Sequence, residues 1–412
     1  MIFLRFAFVA ATLCLSNSLI AADFDMILKG GRVIDTANYI DGKRDVAIKD
    51  GKVAKIAASI PATAATAVVD VRGLLVVPGL IDAHVHVFHG SDPKGGLRNG
   101  FAALPPDAFS FRTGVTTMVD AGSSGWRNFD VFKRQTISQS RTRILAFLNI
   151  IGEGMHGSET DQQELDDMSA AKTAEVANNN RDLIVGIKLA HFATGNWEPT
   201  LRSVEAARLA KIKVMVDFGH ATPPLPLEKL MLEYMRPGDI FTHMYGNTPG
   251  RMTIVGEDGK VRDAVRKARE RGILFDLGHG GGSFAFNQAV PAVRQGFYPD
   301  AISSDLHTGS MNSAMRDLPN VMGKMISIGL TVNQVIAMTT SQAAREIGRP
   351  ELGHMGIGSA ADIAVLRVRN EQSGFLDVAG KRRFGKQALE CEMTLLAGKV
   401  VFDRGARAGQ DF

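Results

Sequence analysis

Short apolar runs that each stop at a polar residue recur along the middle of this chain. They are separated by helix-length segments, and this recurrence restricts the fold more than any other feature. The runs are LIDAHVHV, TTMVDAG, ILAFLNI, LIVGIKLA, KVMVDFG, DIFTH, GILFDLGH and AISSDLH, with pieces such as SVEAARLAKI and VRDAVRKARERG between them. Apolar runs alternating with helical stretches describe parallel strands covered by helices. The eight units fit an α/β fold closed as a (β/α)8 TIM-like barrel better than an open doubly wound sheet.

The two ends of the chain follow a different pattern. From Phe24 to about Leu75 the sequence reads as strands and turns: MILKGGRVID, DVAIKDGKVAKIA with Asp50-Gly51 as a tight hairpin turn, and AVVDVRGLLVVPG. The far end repeats this in ADIAVLRV and in CEMTLLAGKVVFD around Ala397-Gly398. The expected organisation is a barrel over 79–350 and a small composite β-sandwich domain built from 23–78 and 351–412.

Residues 1–22, MIFLRFAFVAATLCLSNSLIAA, have the layout of a secretory signal peptide: Arg5 near the start, an apolar stretch from Phe6 to Leu15, and small Ala21 and Ala22 before Asp23. The apolar stretch is shorter than the ~20 residues a membrane span needs. The expectation is an exported protein, periplasmic or secreted, with no membrane contact after cleavage. Of the two cysteines, Cys14 lies in that segment, so Cys391 has no partner for an internal disulfide in the mature chain. Bulky Leu13 before Cys14 argues against a lipoprotein anchor. Lys and Arg number 47 against 43 Asp and Glu, interspersed apart from the short Lys381-Arg382-Arg383 run, which does not resemble a nucleic-acid footprint. The expected partner is a small-molecule substrate, with a homo-oligomer admitted.

In a barrel of this kind the working residues lie at the carboxyl ends of the strands. There the sequence places His84, His86, Lys188, Asp217, His243, His279 and Asp305. Strand period puts His84 and His86 on one face, where two imidazoles can grip one metal. A lysine at an apolar strand end can lose its proton, because burial disfavours the ammonium, and the amine can then add carbon dioxide to give a carbamate able to bridge two cations.

VPGLIDAHVHVF resembles the signature of the amidohydrolase superfamily of metal-dependent hydrolases, and in particular its dihydroorotase-like branch, which includes amidohydrolases that act as deacetylases. LKGGRVID, GIKLA, FTHMYG, FDLGHGGGSF, AISSDLH, GSAADIAVL and LAGKVVFD occur in the order this resemblance requires. The resemblance implies His84 and His86 as ligands of one metal, Lys188 as a carboxylated lysine (N6-carboxylysine) between two, and His243 as ligand of the second. It implies Asp305 as both ligand and general acid/base, and His279 near the substrate. Two divalent ions would hold a bridging hydroxide as nucleophile and polarise the substrate carbonyl. Zinc is the first candidate, manganese or iron the alternatives, with carbon dioxide needed for Lys188.

The chain departs from the family at strand five, where a histidine is usual and VMVDFGH offers Asp217. Asp217 is the expected ligand. His220, which follows Gly219, is the alternative and is otherwise expected at the pocket wall. An acid here adds a negative charge where a histidine would add none, which favours harder ions such as Mn(II) or Fe(II). His307, in DLHTGSMN, is expected to line the pocket, and His156, His191 and His89 carry weaker signals. The function these residues imply is hydrolysis of an amide or ester bond, an acetyl group among the candidates, in a small organic molecule. A cyclic-amide hydrolase of the dihydroorotase or hydantoinase kind is the alternative. A binding protein that kept the fold and lost the chemistry is disfavoured by the joint presence of His84, His86, Lys188, His243 and Asp305.

Overall fold

The computed structural model describes residues 22–92, 97–155, 164–190, 195–217 and 221–409. Residues 1–21, on which the signal-peptide expectation and Cys14 fall, and His156, His191 and His220 lie outside the described residues.

Seven parallel strands stand in chain order in one sheet: Leu80–Val85, Val115–Gly125, Arg143–Asn149, Ile184–Leu189, Lys213–Val216, Ile240–Phe241 and Leu274–Phe275. Residues 301–306 take the eighth position. On one side Ala301 bridges Asp276, and the His279 and Gly280 amides donate to the Ser303 and Ser304 carbonyls; on the other Leu306 bridges Val85, and the Asp305 amide donates to the His84 carbonyl. The last segment is thus bonded to both the seventh and the first strand, which closes the ring.

Helices Phe129–Gln135, Ala170–Asn179, Glu198–Ala210, Asp263–Glu270, Phe286–Arg294 and Leu318–Ser327 follow strands two, three, four, six, seven and eight. Strand five leads into one α-helical turn, Leu227–Lys229, that widens into a π turn, Leu230–Tyr234. After strand one, where the regular alternation predicts a helix, the described residues form only 3-10 turns at Pro106–Ala108 and Phe111–Thr113. The glycines and prolines of HGSDPKGGLRNG and LPPD disfavour a longer helix there.

The chain ends meet in a second sheet. Ile363–Arg369 pairs antiparallel with Leu75–Pro78, linking the C-terminal strands Ala388–Leu396 and Lys399–Asp403 to Phe24–Asp35, Ile40–Lys49 and Lys52–Ala57. Ala65–Asp70 adds parallel to Phe24–Asp35. Where the sequence suggests a sandwich, the strands are hydrogen-bonded into one eight-stranded sheet, whose buried residues include Leu28, Val33, Val46, Ile363 and Met393. The Asp50-Gly51 turn has φ of 49° and 74°, the positive values a two-residue hairpin connection of this kind requires.

An apolar cluster containing Leu145, Phe147, Met215 and Ile240 is continuous with Ala343, Ala344 and Ile347 of the last helical segment. Lys188 Nζ lies 3.7 Å from Met215 Sδ, so the polar strand ends rest directly on this packed layer.

Candidate metal centre

The polar residues that end the strands converge. Ligand atoms of His84, His243 and Asp305 lie within 4.8 Å of one another, and all three residues are buried. Asp305 Oδ1 is 3.1 Å from His86 Nε2 and 3.7 Å from His84 Nε2. Lys188 Nζ is 3.1 Å from His84 Nε2, and Asp217 Oδ2 is 3.2 Å from His243 Nε2. Strands one, four, five, six and eight therefore each contribute to one cluster at their carboxyl ends.

The outer partners of the histidines fix which nitrogen faces inward. His84 Nδ1 is 3.2 Å from Asp276 Oδ2 and 3.0 Å from Thr242 Oγ1, while His243 Nδ1 donates to the Gly278 carbonyl at 2.6 Å. A carbonyl only accepts, and an ionised carboxylate only accepts, so both rings carry hydrogen on Nδ1 and direct the Nε2 lone pair at the cluster. His86 Nδ1 contacts Ser123 Oγ at 3.1 Å, leaving its Nε2 toward Asp305. The Nε2 lone pair of His84 thus faces Asp305 Oδ1 at 3.7 Å, while His86 Nε2 and His243 Nε2 stand 3.1 and 3.2 Å from Asp305 Oδ1 and Asp217 Oδ2; Asp305 Oδ1 is buried without a hydrogen bond. Acceptors so placed repel each other unless a proton or a metal ion lies between them, and imidazole with carboxylate is a donor set suited to divalent ions.

The charges agree with this. Burial alone would raise the Asp305 carboxyl, yet His84, His86 and His307 hold it well below the usual carboxylate range. Burial likewise opposes ionisation of Asp217, and Arg251 and His243 overcome it. His84 is pushed down to about 4 by burial and by Lys188, so it is a neutral imidazole at physiological pH. Burial lowers the Lys188 amine although Asp217, Asp305 and Asp276 pull the other way. For His243 the burial effect is outweighed by Asp217, which raises it above the ordinary histidine value.

Backbone geometry makes room for this cluster. His243 and Asp305 hold φ of 56° and 49°, a left-handed conformation that costs non-glycine residues on the order of 1–3 kcal/mol each and is typical of working sites. At Gly122, φ +91°, a Cβ would fall 2.7 Å from Lys188 Cγ. At Gly280, φ +53°, it would fall 2.2 Å from Asp305 Oδ2, so glycine alone lets this loop lie against the acid.

The sequence reading places His279 beside the substrate, and the structure corrects this. His279 is fully buried, stacked on Phe284 at 4.7 Å and 13°; its Nδ1 donates to the Gly280 carbonyl and its Nε2 accepts from Lys324 Nζ at 2.6 Å. Both ring nitrogens serve the protein's own chain, and the ring supports the glycine loop. His307 is half-buried, and its Nδ1 accepts from the Gly309 amide, so Nε2 carries the hydrogen. Its ring lies 6.2 Å from that of His86, at the edge of the cluster.

Sequence reasoning missed four residues that support the site. Asp276 orients His84; as a buried acid closing ILFD it carried the same signal as Asp217. Asp82 ties strand one to strand eight through the Ser304 amide and hydroxyl. Lys324 is a charge inside the apolar helix Leu318–Ser327, which was legible as an anomaly. Arg251 donates to Asp217 Oδ1 from a loop of GNTPGRMT, which carries no local signal.

Residues 298–402 match the model of the amidohydrolase family. A deacetylase of Agrobacterium fabrum is 33% identical over 323 residues, covering 77% of this chain and 76% of its own. The crystal structure of an adenine deaminase superposes with a TM-score of 0.82 at 26% identity, covering 92% of this chain and all of that one. A dihydroorotase structure gives 0.81 at 27% identity, over 92% of this chain and 99% of that one. With the barrel and its cluster of histidines and acids, these likenesses establish that the chain belongs to the amidohydrolase superfamily, in the branch that holds deacetylases and dihydroorotases, and is a hydrolase of carbon–nitrogen bonds.

Proposed function

We propose that this protein hydrolyses an acyl-amide bond, with an acetyl amide as the leading candidate, in a small organic molecule, using two divalent metal ions. The observation that carries the reading is the convergence of His84, His243 and Asp305 within 4.8 Å, with Lys188 and Asp217 in contact with that triad. Similarity to a deacetylase over most of both chains supports the acetyl group.

His84 and His86 with Asp305 would hold one ion, and Asp217 with His243 the other. Lys188 would lie between them as the carbamate formed when its neutral amine adds carbon dioxide. When bound, the ions supply an activated water and polarise the scissile carbonyl. Asp305 is ionised and buried at the centre, so its carboxylate accepts a proton from the attacking water and returns it to the departing nitrogen. The Gly280 loop holds that carboxylate in place from one side and His86 from the other. His307, with hydrogen on Nε2, is placed to donate to the substrate. Zinc suits the imidazole and carboxylate set, with manganese or iron as alternatives. The leader-like layout of residues 1–22 supports export to a periplasmic or secreted location.

The test is a screen of N-acyl and O-acyl compounds, with cyclic amides and lactones as comparison arms, using Zn(II)- and Mn(II)-loaded mature protein. Turnover of acyclic N-acyl compounds that depends on metal is expected. Turnover confined to cyclic amides would replace this reading with a dihydroorotase-like one.

A further inference from the structure

Arg251 lies on the loop after strand six, and its Nη2 donates at 2.5 Å to Oδ1 of Asp217, at the end of the neighbouring strand five. The guanidinium side chain is 16% exposed and that of Asp217 1%, so this is a largely buried ion pair, screened much less than a surface one. With Oδ1 taken, Asp217 has Oδ2 facing His243 Nε2 at 3.2 Å. Two donors about 2.0–2.1 Å from one tetrahedral ion stand about 3.3 Å apart, so this pair is spaced as ligands of a common metal. A carboxylate without such a partner could rotate or chelate through both oxygens; the bond to Arg251 restricts it to one.

Asp217 adds a negative charge to a cluster that already holds Asp305 and, when Lys188 is carboxylated, the carbamate. Each added negative charge weakens the ability of a metal to acidify water. Arg251 cancels that charge at the oxygen turned away from the site. The carboxylate and guanidinium together carry no net charge, as a neutral imidazole would.

We propose that Arg251 is the positioning residue for the second metal, fixing Asp217 as a one-oxygen ligand and neutralising it so that the two side chains act as a single neutral donor. This rests on the reading of Asp217 as a ligand. Its consequence is coupling between the two positions: Asp217→His on its own would set an imidazole and a metal beside a guanidinium that has lost this carboxylate, whereas Asp217→His with Arg251→Met would keep a neutral donor and remove that positive charge.

The experiment is equilibrium dialysis of the mature protein and its variants in buffered Zn(II), read as metal per chain and as the affinity of the weaker site. Arg251→Met is expected to weaken that site about 10–100-fold, the usual cost of losing an outer partner of a ligand. Arg251→Lys should recover part of the loss, and the Asp217→His, Arg251→Met double variant should bind the second ion more tightly than Asp217→His alone. Circular dichroism identifies any variant that does not fold, and the lysine variant then decides: affinity equal to wild type overturns the proposal, because lysine lacks the planar guanidinium. Wild-type affinity in folded Arg251→Met, or simple additivity in the double variant, overturns it as well. Retention of both ions by Asp217→Asn would instead overturn the ligand reading on which it rests.

Discussion

Lys324 Nζ lies 2.6 Å from Nε2 of His279, wholly inside the protein, and this contact sets the position of the glycine loop that touches Asp305. Because His279 donates from Nδ1 to the Gly280 carbonyl, its Nε2 is an acceptor and Lys324 is the donor. Burial, with Arg316 adding to it, pushes the Lys324 amine down to about 7. Between that value and the unfolded lysine value near 10.4, the unfolded chain binds the extra proton, so this group makes stability rise with pH. Urea unfolding of wild type and Lys324→Met from pH 6 to 9 should show wild type gaining relative stability above about pH 7, by at most ~1.4 kcal/mol per pH unit. A difference that is flat with pH would contradict a lowered amine.

Gly280→Ala forces a Cβ to 2.2 Å from Asp305 Oδ2 in a backbone conformation that side chains resist. Displacing the acid by about an ångström is expected to cost on the order of 100-fold in kcat/KM. The melting temperature should fall by only a few degrees, since a strained position of this kind costs about 1–3 kcal/mol. Unchanged kcat/KM would show that Asp305 does not need this wall.

Asp276→Asn removes the carboxylate that accepts from His84 Nδ1. Zinc affinity, measured by competition with a chromophoric chelator, should drop about 10–100-fold. An unaltered affinity would mean that Thr242 Oγ1 orients the ring alone.

Lys188 lies in an environment that disfavours its ammonium, which is the condition for carbamate formation. Protein reconstituted in 13C-bicarbonate with Zn(II) should give a carbamate carbon signal by NMR. Lys188→Ala should lose both that signal and most activity. A fully active wild type prepared without carbon dioxide would contradict the carboxylated lysine.

The barrel was legible because its strands are buried on both faces and end abruptly on polar residues; His84, His86, Lys188, Asp217, His243 and Asp305 stand out as charges or imidazoles that terminate apolar runs. His279 fits the same pattern and misled, since the sequence cannot show that Lys324, 45 positions later, occupies its outer nitrogen. Arg251 was hidden for the converse reason. It belongs to no strand or helix face, and only the path of the loop after strand six, back over the end of neighbouring strand five, brings it to Asp217, 34 positions earlier. The pairing of the two chain ends was suggested by their shared strand pattern, but the bonds between Ile363–Arg369 and Leu75–Pro78 that merge them into one sheet depend on a register that spacing does not reveal.

The most direct test of the metal-dependent reading is one preparation assayed three times for acid released from N-acyl substrates, with metal counted in parallel: as purified, after chelation, and after return of Zn(II). Uptake of about two ions per chain is expected, with turnover lost and regained together with them. Turnover that survives complete removal of metal, or a folded protein that takes up none, would contradict it.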